Sequence, residues 1–137
     1  MSMLMEPSLT GTETVLMVDD NEPVRTAIAL LLGMCGYTVL QASQGLEALD
    51  LSQQHQGTIH LLLTDMKMPR MDGLELSRRF RSLRPNTKVL LMSGYPVETF
   101  EDLEYQDHDV IMVQKPVAIS VLLQKIRELL AENTRIS

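Results

Sequence analysis

The sequence lacks the features that mark several large classes of protein. It has one cysteine, Cys35. No disulfide can form within the chain, and the composition suits a reducing, cytoplasmic setting. Cys35 has no basic or histidine neighbour in sequence to activate it, so it reads as a small buried apolar residue. No block of Lys and Arg occurs, and the net charge is −6, which disfavours nucleic acid as a direct partner. The longest apolar stretch, Ala27 to Cys35, is far short of a membrane span. Residues 1–13 contain no Lys or Arg and no long apolar core, so they are not a secretory signal. With Pro7, Gly11 and several Ser and Thr residues, they read as a disordered leader or linker. There is no internal repeat, no low-complexity tract and no Gly-x-x-x-x-Gly-Lys phosphate loop. His55, His60 and His108 lack metal-ligand spacing. What remains is a chain of 137 residues, 45% hydrophobic, enough for one core. A single domain is expected over 14–132, with a short tail at 133–137.

Strand-like and helix-like segments alternate along it. Strands are expected near 14–19, 37–41, 59–64, 87–92 and 110–114. The first, third and fourth are nearly all apolar, as strands buried on both faces should be. Helical spacing places Val24, Ala27, Ile28, Leu31 and Cys35 on one face of 22–35, with Pro23 in the first turn and Asn21 or Asp20 as cap. Residues 45–55 repeat Leu46, Leu49 and Gln53, and 73–83 align Leu76, Phe80 and Leu83. Residues 119–131 carry Ile119, Leu122, Leu123, Ile126, Leu129 and Leu130, the strongest amphipathic pattern. A weaker helix spans 96–106, with Val97, Phe100 and Leu103. Repeated strand–helix units imply an α/β fold: a doubly wound, flavodoxin-like, five-stranded parallel sheet in the order 2-1-3-4-5, with helices on both faces.

Four of the apolar runs end in polar groups: Asp19 and Asp20, Asp65, Ser93, and Lys115. Open parallel sheets bind ligands outside the carboxyl ends of their strands, so these groups are expected to converge. Three clustered carboxylates repel one another unless a cation joins them. An all-oxygen pocket of this kind suits Mg²⁺, and Lys115 adds positive charge for a phosphoryl group. Singly, each residue has a plainer reading. Asp19 and Asp20 could cap the next helix, Asp65 could be a loop acid, and Lys115 a surface lysine. Asp72-Gly73 reads as a helix cap, and the ten methionines mostly as core fillers.

Over residues 13–132 the chain resembles the receiver domain of two-component response regulators. The resemblance rests on Val-Asp-Asp-Asn-Glu-Pro-Val-Arg at 18–25, Gly-Tyr-Thr-Val-Leu-Gln-Ala at 36–42 and Gly-Leu-Glu-Ala-Leu at 45–49. It continues in Leu-Leu-Leu-Thr-Asp-Met-Lys-Met-Pro-Arg-Met-Asp-Gly at 61–73, Met-Ser-Gly-Tyr at 92–95, and Lys-Pro at 115–116. It implies that Asp65 is a phosphoacceptor, taking a phosphoryl group from a histidine kinase or histidine phosphotransfer protein. By the same resemblance, Asp20, Asp65 and the Lys67 backbone carbonyl bind Mg²⁺ directly, and Asp19 acts through water. Lys115 pairs with the phosphoryl oxygens, Ser93 is the switch hydroxyl, and the Lys115–Pro116 bond is cis. The stretch Arg81 to Tyr95 looks most like receivers attached to hybrid sensor histidine kinases. Such a domain catalyses only its own phosphorylation and dephosphorylation.

One position departs from the family. A Tyr or Phe often lies three residues before the lysine, and here that residue is Met112. A downstream protein is expected on the 96–131 face, where Glu98, Glu101, Asp102, Glu104, Asp107 and Asp109 cluster, although such a run of acids also has the plainer reading of a solvated face. Two other functions are weighed. A haloacid-dehalogenase-like phosphatase needs a second acid two residues after the nucleophile, where this chain has Lys67. A non-phosphorylated interaction module would not need the acids and Lys115.

Overall fold

A computed structural model describes residues 9–94 and 109–135, with side chains as far as Ala131. Its sheet shows how uniformly apolar strands serve two cores at once. In β1 (Thr14–Val18) and β3 (Leu61–Asp65), Val15, Met17, Leu61 and Leu63 face one core. Leu16, Val18 and Leu62 face the other. Successive side chains of a strand point to opposite faces, so a strand covered on both sides needs no polar residue. The remaining strands are β2 (Thr38–Ala42), β4 (Lys88–Ser93) and β5 (Val110–Gln114). All pair in parallel in the order β2-β1-β3-β4-β5. Helices α1 (Glu22–Met34) and α4 (Ile119–Arg135) cover one face. Helices α2 (Gly45–Gln54) and α3 (Gly73–Leu83) cover the other. The expected fold class and strand order are both present. The 96–106 helix lies outside the described residues.

The caps follow from side-chain chemistry. Asn21 accepts the Val24 amide at 3.1 Å, which selects Asn21 over Asp20 as the cap of α1. Asp72 accepts the Glu75 amide at 2.8 Å and starts α3. Each bond satisfies one of the helix's open amides, at about 1 kcal/mol. The last turn of α2 has no basic residue of its own. Arg84 serves there instead, donating to the carbonyls of Ser52, His55 and Gly57.

Three helix faces differ from the expected stripes. On α1 the buried residues are Ala29 and Leu32, with Cys35 just beyond, while Val24 and Ala27 are exposed. The helix is apolar almost all round, so periodicity alone could not choose the inner face. Leu30, beside the buried pair, is 66% exposed. On α2, Gly45, Ala48 and Ser52 face inward and Leu46 is exposed, because the small residues allow close approach to the sheet and the Met71 side chain. On α3, Leu76 and Phe80 are buried and Leu83 is exposed. The α4 stripe is buried through Leu122, Leu123, Ile126, Leu129 and Leu130, and Ile119 is half-buried.

Two further differences concern the ends of the strands. Residues 9–13, grouped by sequence with the leader, pack onto the domain: Leu9 joins the core that α1 and α4 cover, and the Gly11 amide donates to the Cys35 carbonyl at 3.0 Å. β4 opens on a buried lysine, Lys88, whose ammonium pairs with Asp109. Arg81 reaches the other oxygen of Asp109 at 3.2 Å. Asp109 is thus an internal counter-ion and leaves the expected acidic face; the other five acids of that face lie outside the described residues.

Candidate functional site

The strand order reverses between β1 and β3, which opens a crevice at their carboxyl ends. The main chain sets the side chains there. The Asp19 amide donates to the Ala42 carbonyl at 3.2 Å, extending β1 by one residue along β2. The Met66 amide donates to the Met92 carbonyl at 2.7 Å and holds Asp65 at the end of β3. The Lys115 amide donates to the Ser93 carbonyl at 2.6 Å and brings the lysine to the end of β4. The Lys115–Pro116 peptide is cis.

Asp19, Asp20 and Asp65 each offer a carboxylate oxygen, and these atoms lie within 4.8 Å of one another. Lys115 Nζ lies 2.6 Å from Asp65 Oδ1. Asp19 and Asp65 are buried, and Asp20 is exposed. Asp19 Oδ1 accepts the Asn21 amide at 2.9 Å. Its Oδ2 is buried and has no hydrogen-bond partner among the described residues. Burial, then the charges of Asp65 and Asp20, raise the Asp19 pKa against the opposing pull of the Asn21 amide and Lys115. One ammonium facing three carboxylates leaves negative charge uncompensated. An orphaned buried oxygen within an all-oxygen donor set fits a hard divalent cation such as Mg²⁺. Ser93 is buried at the end of β4, and Lys67 has an exposed side chain in the loop after Asp65. Met112 is half-buried in mid-β5, across from Leu91 and packed against the α2–α3 side.

Three supporting residues were missed from sequence. Arg25 donates to the Asp19 carbonyl at 2.9 Å, placing a guanidinium behind the acid pair. Its only sequence signal is its place one turn into α1. The Thr64 hydroxyl donates to the Asp65 carbonyl at 3.0 Å. Gly73 does more than follow a cap residue. A Cβ there would lie 2.6 Å from the Asp65 carbonyl oxygen and 3.0 Å from Met66 Cα. Helix α3 therefore starts pressed against the backbone of Asp65. The intervening loop buries Met66, Met68 and Met71 and turns at Arg70, whose φ is 70°.

The response regulator receiver domain family accounts for residues 15–127, which include the acid site and nearly all of the sheet. The chain belongs to that family of phosphoacceptor domains in two-component signalling. Among its relatives, the sensor kinase CckA of Brucella abortus (strain 2308) is 34% identical over 122 residues. That match takes in 89% of this chain but only 13% of CckA. The receiver domain of the hybrid histidine kinase CckA has a crystal structure that is similar at 33% identity and a TM-score of 0.72, covering 85% of this chain and 98% of that domain. A CheY-like receiver protein of Methanospirillum hungatei JF-1 is 29% identical, with a TM-score of 0.79 over 93% of this chain and 100% of that one. No described helix is long and apolar enough to cross a membrane.

Proposed function

We propose that this domain works in the cytoplasm, where Asp65 accepts a phosphoryl group from a phosphohistidine on a histidine kinase or phosphotransfer protein, and that this switches a protein-interaction surface. The carrying observation is the Lys115–Asp65 pair at 2.6 Å, set beside two more carboxylates. A purely structural ion pair needs one carboxylate. Three of them around one ammonium favour a divalent cation and, with it, a phosphoryl group.

Asp20, Asp65 and the Lys67 carbonyl would hold Mg²⁺, with Asp19 acting through water, and the cation supplies charge neutralisation for the phosphoryl oxygens. An Asp65 carboxylate oxygen attacks phosphorus. The P–N bond to the donor imidazole breaks, its electron pair returns to nitrogen, and an acyl phosphate remains on Asp65. A carboxylate is a weak nucleophile, so the rate comes from position and charge. The β3–β4 ladder and the α3 start fix the Asp65 backbone. The Lys115 ammonium turns from the carboxylate to the new phosphoryl oxygens, and the Ser93 hydroxyl donates to them. Hydrolysis of the acyl phosphate uses the same groups, so the catalysis is confined to the domain itself. Met112, in place of an aromatic ring, fills space in several rotamers and couples this change to β5 less sharply.

Donor docking is assigned to α1. Val24, Ala27, Leu30 and Met34 form an exposed apolar stripe on that helix. The stripe lies on the helix that follows Asp20 in the chain, and apolar patches of this kind mark interaction surfaces. The 96–131 face is left for a downstream protein. Intact mass after incubation with Mg²⁺ and a small phosphodonor tests the chemistry. The wild type gains one base-labile phosphoryl group and Asp65→Asn gains none; equal uptake by the variant rejects the reading. Leu30→Glu should match the wild type with the small donor and slow transfer from a protein donor.

A further inference from the structure

At the end of the sheet opposite the acid site, the segment Leu9–Glu13 is strapped to the last helix. Glu13 Oε1 pairs with Arg127 Nη1 at 2.7 Å, and the same nitrogen donates to the Tyr37 hydroxyl at 3.1 Å. Tyr37 is buried, and the Glu13 and Arg127 side chains are largely covered. The main chain adds two bonds, from the Gly11 amide to the Cys35 carbonyl and from the Thr38 amide to the Glu13 carbonyl. Two glycines set the fit. A Cβ on Gly11 would lie 2.4 Å from Arg127 Nη1 and 2.6 Å from the Tyr37 ring. A Cβ on Gly36, which has a φ of 101°, would lie 2.4 Å from the Gly11 carbonyl oxygen. The strap is therefore closely fitted, with no room for a side chain at Gly11 or Gly36, and the Glu13–Arg127 pair ties it to the last helix.

Helix α4 joins this strap to the acid site. Lys115 holds Asp65 at one end, and three residues, Pro116 to Ala118, separate it from the start of α4. Arg127 lies about 12 Å further along, at 1.5 Å per residue. The helix is seated by Leu122, Leu123 and Ile126 in a close-packed core, which transmits displacement rather than absorbing it.

We propose that the state of the acid site is relayed through α4 and the Arg127 latch to the chain entering β1. When Lys115 exchanges Asp65 for a phosphoryl oxygen, α4 adjusts, and the latch carries the change to Leu9–Glu13. This rests on the phosphoryl reading above and adds a second readout surface, at the opposite end of the sheet from Asp65.

Amide spectra of the isotope-labelled chain, with and without Mg²⁺ and beryllofluoride, test it. The mimic should shift the amides of 65–68 and also those of Gly11, Thr12 and Thr38. In Arg127→Met the shifts at Gly11, Thr12 and Thr38 should be lost while those at 65–68 persist. Glu13→Ala, a milder change, should give the same loss if Arg127→Met fails to fold. Shifts at 65–68 alone in the wild type overturn the relay and leave the phosphoryl reading standing. Strap shifts that survive both variants also overturn it. No shift at 65–68 rejects the phosphoryl reading and the relay with it.

Discussion

Replacing Gly73 by alanine sets two physical effects against each other. In a helix alanine is favoured over glycine by about 1 kcal/mol, so propensity predicts a more stable protein. The packing predicts the reverse. The new Cβ would sit 2.6 Å from the Asp65 carbonyl oxygen, about 0.8 Å inside ordinary contact, and 3.0 Å from both Met66 Cα and Leu91 Cδ2. The Asp65 and Met66 atoms are main chain, and β3 is laddered on both edges, so neither can yield cheaply. Overpacking of this kind costs about 1–3 kcal/mol, which exceeds the propensity gain. Gly33 in α1 is the control, because nothing lies within 4 Å of its Cβ position. Gly33→Ala should raise stability by about 0.5–1 kcal/mol. Urea denaturation should therefore move in opposite directions for the two variants. Gly73→Ala should also slow phosphoryl uptake, since misplacing a reacting group by about 1 Å can cost on the order of 100-fold. A Gly73→Ala protein at least as stable as the wild type, with unchanged uptake, would refute the close-approach argument.

Other consequences can be checked separately. Metal titration should show weaker Mg²⁺ binding for Asp20→Ala than for Asp19→Ala, because a direct ligand contributes more than a water-bridged one; equal affinities would reject the division of roles. Met112→Tyr should enlarge the amide response of β5 to beryllofluoride without changing phosphoryl uptake, and a full-sized wild-type response would show the ring to be dispensable. Burial alone would raise the Glu13 pKa, but hydrogen bonds and the charge of Arg127 outweigh it and the pKa is lowered. A carboxylate with a depressed folded-state pKa stabilises the fold above its unfolded pKa, and that stability is lost as pH falls through the folded value. Denaturation at a series of acid pH values should show this loss in the wild type and a smaller one in Arg127→Met.

The layout of the sheet was legible from the sequence because strand signals are local. Apolar runs ending in Asp19, Asp65, Ser93 and Lys115 mark strand ends, and parallel topology leaves few ways to arrange them. The convergence of those groups at one end followed from the same rule, and the structure brings Asp19, Asp20, Asp65 and Lys115 together. The inner face of α1 was not legible, because Val24, Ala27, Leu30, Leu31 and Leu32 are all apolar, and only the packing of the helix on the sheet buries Leu32 and leaves Leu30 outside. Gly73 looked like the residue after a cap until the Asp65 carbonyl lay against it. Asp109 looked like one acid among six until Lys88 and Arg81 closed on it. Glu13 and Arg127 are 114 residues apart in the chain, and no local pattern links them. Periodicity and turn chemistry act over a few residues, so the sequence by itself determines elements and their order. Close approach, counter-ion pairing and the choice between two apolar faces depend on distances that exist only after the elements pack.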